Sequence, residues 1–95
     1  MKQPAIYILA SQRNGTLYTG VTSNLVERIF QHKKGITKGF SHQHNCKHLV
    51  YYQVADTMEA AISREKYIKN KSRTYKLDLI ESMNPNWKDL YETLF

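Results

Sequence analysis

Five side chains in this sequence are of the types that phosphate chemistry uses: Tyr7, Tyr18, Arg28, His32 and Glu65. Phenol and imidazole groups move protons, a guanidinium can hold phosphate through two parallel hydrogen bonds, and a carboxylate suits Mg²⁺ or Mn²⁺. Hydrolysis of a phosphodiester needs such parts together: a group that takes a proton from water, a divalent ion at the leaving oxygen, and fixed positive charge around the pentavalent phosphorus. Whether the five meet depends on the elements that carry them.

The stretch YILASQRNGTLYTG, Tyr7 to Gly20, reads as a β-hairpin, because Asn14-Gly15 tolerates the positive φ of a tight turn and apolar runs flank it. An even-length loop places Tyr7 and Tyr18 on one face of that hairpin, and an odd one separates them. A strict two-residue loop leaves the tyrosines roughly 13 Å apart along the ladder, and a turn centred one residue earlier brings them to roughly 7 Å. Next, SNLVERIFQHKKG predicts a helix over about 25–34. Asn24 caps it, Glu27 completes a capping box, and Gly35 ends it. Leu25, Val26, Ile29 and Phe30 form its apolar sector, with Arg28 and His32 together at the edge.

GITKGFSHQHNCKH lacks a usable period and reads as an exposed loop. Leu49 to Val54 forms a third strand, Asp56 and Glu59 open a helix that runs to about Asn70, and the last third is a helix broken at Asn84-Pro85 with a short closing helix near 87–94. The order ββαβαα predicts an α+β fold, a small antiparallel sheet covered by helices.

Glu65 is the anomaly in this pattern. With Met58, Ala61, Ile62 and Ile68 it falls on the apolar stripe of its helix. A buried carboxylate protonates, pairs with a cation or binds metal. Lys69, one helical turn on, offers the ion pair, and its long stem also allows it to reach solvent and leave Glu65 for a metal.

A chain of 95 residues supports one domain, residues 1–95. No apolar run approaches the roughly 20 residues of a membrane span, and the N-terminus makes a poor signal peptide. With the lone Cys46, which cannot form an internal disulfide, this makes the cytoplasm the expected location. A net charge of +6 favours a polyanionic partner, and without a basic amphipathic helix that partner is nucleic acid rather than membrane. Lys33, Lys34, Lys38, Lys69, Lys71 and Arg73 are the candidates for its phosphates. His42, His44, Cys46 and His48 raise Zn²⁺ as another possibility, although strict alternation matches structural zinc spacing poorly.

The chain resembles small, stand-alone GIY-YIG domains, usually described as predicted endonucleases. Ala5-Ile6-Tyr7 stands for the first motif and Tyr18-Thr19-Gly20 for the second, followed by VTSNLVERIFQH, AAISREKYIKNKSR and NPNWKDLYETL, so the likeness covers nearly the whole chain. It implies a three-stranded antiparallel sheet flanked by helices and a metal-dependent nuclease, with DNA the favoured substrate. By motif, Tyr7 and Tyr18 match the two tyrosines, Arg28 and His32 the helix pair, and Glu65 the glutamate that binds Mg²⁺ or Mn²⁺. Tyr7 would be the general base, although ionising a free phenol at neutral pH costs roughly 4 kcal/mol. Tyr18 and His32 would orient water or phosphate, and either could be the proton acceptor instead. Ala5 and Thr19 depart from the motif letters without removing side-chain chemistry. The asparagine that many members carry some twelve residues past the glutamate has no match in YKLDL, and Asn70 and Asn84 qualify by residue type alone. Sequence-specific targeting would need a partner protein. The rival reading is a nucleic-acid-binding module whose nuclease site no longer turns over.

Overall fold

The computed structural model describes residues 3–36 and 39–95. Its elements are β1 (Ala5–Ala10), β2 (Leu17–Thr22), α1 (Leu25–Lys33), α2 (Phe40–Gln43), β3 (His48–Val54), α3 (Met58–Lys69) and α4 (Arg73–Met83), closed by a 3-10 helix, Leu90–Leu94. The sheet is antiparallel in the order β2-β1-β3, an α+β fold as expected.

All six residues of central β1 are buried, and alternation divides them between two cores. Ile6, Ile8 and Ala10 meet Ala61 and Ile68 of α3, Ile80 of α4 and Trp87. Tyr7 and Leu9 face the other way, onto Ile29 of α1, Cys46 and Leu49, with Leu90, Tyr91 and Leu94 closing that side. The pairing of β1 with β3 slips between Ile8 and Leu9, so that Tyr51 faces Ile8 and Leu49 faces Leu9. Val50 is the extra residue of a bulge, which lets consecutive Val50 and Tyr51 enter the same core.

The hairpin turn occupies Gln12 to Gly15, closed by Gly15 N–H to the Gln12 carbonyl at 2.9 Å, with Asn14 at φ 58°. The ladder ends at Ala10 opposite Leu17, so the turn is centred one residue before Asn14-Gly15. Helix α1 starts as expected, the Asn24 side chain accepting from Glu27 N–H, and Gly35 follows it at φ 71°. In α3 the cap is Thr57 rather than Asp56, because Thr57 is the last extended residue and its hydroxyl accepts from Ala60 N–H at 3.0 Å.

Two segments depart from the sequence reading. The expected exposed loop contains one turn of helix, α2, held by contacts with distant residues rather than by an apolar period of its own. The expected helix at 87–94 is shortened to the 3-10 turn. Asn84 holds the preceding backbone, accepting from Lys88 N–H at 3.0 Å and donating to Lys88 O at 2.7 Å, and Asp89 caps Tyr91 N–H.

Candidate active site

Tyr7 lies opposite Gly20 and Tyr18 opposite Leu9, which puts both tyrosines on the α1 side of the sheet with ring centroids 6.3 Å apart. Gly20 makes this possible. A Cβ there would stand 2.5 Å from Cζ and from the hydroxyl of Tyr7, so the tyrosine ring lies across the strand where any other residue would collide with it.

Helix α1 brings His32 over the pair, its ring 5.7 Å from Tyr7 and 5.6 Å from Tyr18. His32 is buried, and both ring nitrogens are engaged: Nε2 with the Tyr7 hydroxyl at 3.0 Å and Nδ1 with the Ser41 hydroxyl at 2.9 Å. Ser41 belongs to α2 and is itself buried. Phe40, its neighbour, stacks on Tyr18 at 6.3 Å. The result is a continuous hydrogen-bonded line, Ser41 to His32 to Tyr7.

Burial pushes the Tyr7 phenol well above its ordinary range, helped by Tyr18 and the charge of Glu65 and opposed by Arg28. Burial also lowers His32 below its usual 6.5, with the Arg28 charge adding to the effect. The imidazole is therefore neutral at pH 7. Arg28 is half-buried and lines a polar cleft of about 170 Å³ with residues of the β2–α1 junction.

Glu65 is nearly buried on α3, close enough to Tyr7 to act on its ionisation, and its carboxylate pairs with Lys69 at 2.9 Å. The ion pair foreseen as an alternative is thus present. Lys69 has a half-exposed side chain and can leave for solvent. Among the described residues no three His, Cys, Asp or Glu side chains gather as a metal cage. One carboxylate fits Mg²⁺, which keeps much of its shell as water and substrate phosphate oxygens, better than it fits a metal that needs several protein ligands. The His42, His44, Cys46 and His48 alternation is broken by α2, and the buried Cys46 thiol donates to the carbonyl of Thr16 at 3.5 Å.

The basic candidates separate. Lys33 is paired with Asp89 and donates to Lys47 O at 2.9 Å. Arg73 donates from one nitrogen to the turn carbonyls of Asn14 and Gly15 at 2.8 and 2.7 Å. Lys34 is exposed beside Phe30, and Lys71 is exposed against Tyr67 and Tyr75. Lys38 lies outside the described residues. Of the asparagines, Asn70 is the exposed C-cap of α3. Asn84 is buried and donates to the carbonyl of Val50 at 3.2 Å, serving the bulged residue rather than chemistry. Ser41 and Phe40 had no signal in the sequence, because their neighbours carry neither a period nor a motif.

The sequence profile of the GIY-YIG catalytic domain matches residues 3–78, a span that holds Tyr7, Tyr18, Arg28, His32 and Glu65. The chain belongs to the GIY-YIG family. GIY-YIG domains are nucleases and act on nucleic acid. Two similar proteins are UPF0213 protein CPE1444 of Clostridium perfringens, 39% identical over 77 residues, and UPF0213 protein SSP2268 of Staphylococcus saprophyticus, 36% identical over 80. The matches cover 81% of this chain and 82% of the first relative, and 84% and 96% for the second. The solution NMR structure of the UPF0213 protein BH0048 from Bacillus halodurans shares the fold, with a TM-score of 0.56, 27% identity, and coverage of 94% of this chain and 93% of that one. Among the described residues of this GIY-YIG chain no helix is long and apolar enough to cross a membrane.

Proposed function

We propose that this GIY-YIG chain is a metal-dependent endonuclease that hydrolyses phosphodiester bonds, with DNA as its substrate. The observation that carries the reading is the Ser41–His32–Tyr7 line beside Arg28. A phenol with a raised pKa does not ionise ahead of the reaction, so Tyr7 can serve as a base only if it passes its own proton on as it accepts one from water. His32 is arranged to receive that proton. In the tautomer that carries its proton on Nδ1, Nδ1–H donates to Ser41 and Nε2 presents its lone pair to the Tyr7 hydroxyl, and the depressed pKa keeps the ring neutral beforehand.

As the water oxygen forms its bond to phosphorus, its proton goes to Tyr7 and the Tyr7 proton to His32. The P–O bond to the leaving oxygen breaks, and that oxygen is protonated from solvent. Arg28 holds the non-bridging phosphate oxygens and stabilises their growing charge. Tyr7 is almost wholly buried, so this step requires the structure to admit substrate and water to its hydroxyl. Glu65 would hold Mg²⁺ or Mn²⁺, which when bound supplies positive charge at the leaving oxygen.

The Glu65–Lys69 pair favours a second reading, a nucleic-acid-binding module without turnover, because it satisfies the carboxylate with no metal present. Incubating the purified chain with branched, duplex and single-stranded DNA and with RNA, in Mg²⁺, in Mn²⁺ and in chelator, tests both. The nuclease reading expects cleavage only with metal, and its loss in Glu65→Gln while folding and DNA binding stay near wild type. Cleavage by Glu65→Gln at the wild-type rate would overturn the metal role, and no cleavage of any substrate would leave the binding module.

A further inference from the structure

A groove of about 290 Å³, outside the line of proton-transfer groups, is lined by Thr16 and Leu17 of the hairpin, Phe40 of α2, and Arg73 and Lys76 of α4. Phe40 is 48% exposed although its ring packs 6.3 Å from Tyr18, and His44 lies 4.3 Å from it. Tyr18 is in turn 6.3 Å from Tyr7, so two aromatic steps lead from the buried hydroxyl to this opening. Among the described residues that line the groove none is acidic and two are cationic. Arg73 is partly committed to the turn carbonyls, whereas among the described residues the Lys76 ammonium makes a single long contact of 3.4 Å with Lys69 O.

An accessible aromatic ring with cations beside it matches a nucleotide whose base is free to stack and whose phosphate needs a counter-charge. Paired bases in a duplex are already stacked and cannot offer a face without being extruded, which costs energy. We infer that this groove is a subsite for an unpaired nucleotide of a DNA strand, its base against Phe40 and its phosphate on Lys76 and Arg73. The inference rests on the nuclease reading for its consequence. Only the Tyr18 ring lies between Phe40 and Tyr7, so the subsite holds a nucleotide flanking the scissile phosphate and selects substrates with unpaired bases beside the bond that is cut.

The test is binding in chelator, where no cleavage occurs, of a short oligothymidylate and of a blunt duplex of equal length. Phe40→Ala should weaken oligothymidylate binding by about 5- to 150-fold and change duplex binding less than twofold. Phe40→Tyr should restore it, which excludes a general folding defect. Lys76→Gln should weaken binding of the single strand and reduce its salt slope by about one. In Phe40→Trp, oligothymidylate should quench fluorescence beyond any change seen with wild-type Trp87, and the duplex should not. Unchanged single-strand affinity in Phe40→Ala, or equal losses for both ligands, would overturn the subsite. A chain that shows the Phe40-dependent preference but never cuts with metal keeps the subsite and loses the nuclease reading. One that cuts while Phe40→Ala is silent does the reverse.

Discussion

Strand β1 has the same burial on both sides and a different use for each. Ile6, Ile8 and Ala10 enter a core built from aliphatic and aromatic side chains, where the gain is area removed from water and the requirement is volume. Between Ile6 and Ile8, Tyr7 enters a packed cluster on the other face, in which its hydroxyl is bonded to His32 and its ring lies over a bare glycine. Burial therefore stabilises by exclusion of water on one face and perturbs proton affinity on the other. The same dry environment that makes Ile8 favourable makes Tyr7 hard to ionise and keeps His32 neutral.

The two faces should fail differently when altered. Tyr7→Phe keeps ring and packing but removes the proton-transfer group, and cleavage should drop about 10²- to 10⁴-fold while melting shifts little. A cleavage rate within threefold of wild type would show that the hydroxyl does no chemistry. On the opposite face Ile8→Ala should cost about 2–5 kcal/mol in denaturant unfolding, with cleavage by the remaining folded molecules close to normal. Gly20→Ala joins the two effects. The new methyl group would displace the Tyr7 ring, so we expect about 1–3 kcal/mol of destabilisation together with at least tenfold slower cleavage.

The smallest effect is in pH. His32 has a folded pKa below 6.5, so stability from burying its neutral form is present above about pH 6.5 and is lost as pH falls through the folded pKa. The acid limb of kcat/KM should likewise lie below pH 6.5 and disappear in His32→Gln, whatever activity remains. An acid limb unchanged in that variant would assign it to another group.

What could be read from the sequence follows the range of the interaction. Asn24 and Glu27 start α1 through bonds three residues apart, and Gly35 at φ 71° ends it, all of which local chemistry specifies. Loop parity placed both tyrosines on one face, and the shorter of the two expected separations is the observed one. The pairing of Lys33 with Asp89 is invisible in the sequence because the two lie 56 residues apart. Ser41 was missed for the same kind of reason: its significance is a contact with His32 made only once the chain has folded. The Val50 bulge left no periodic trace, since an apolar run reads the same whether or not it slips.

Asp89 has one further consequence. It pairs with Lys33 at the end of α1, accepts from Leu49 N–H in β3 at 3.2 Å, and is held below the usual carboxylate range by Lys33 and by the Tyr91 and Leu49 amides, despite the opposing effect of burial. Asn84 meanwhile binds β3 at Val50. Both residues lie beyond position 78, where the family match stops. The end of the family profile is therefore not the end of the contacts that hold the fold together. A fragment trimmed to the matched span would keep all five motif residues, yet it would lose the strut between the helix that carries His32 and the edge of the sheet.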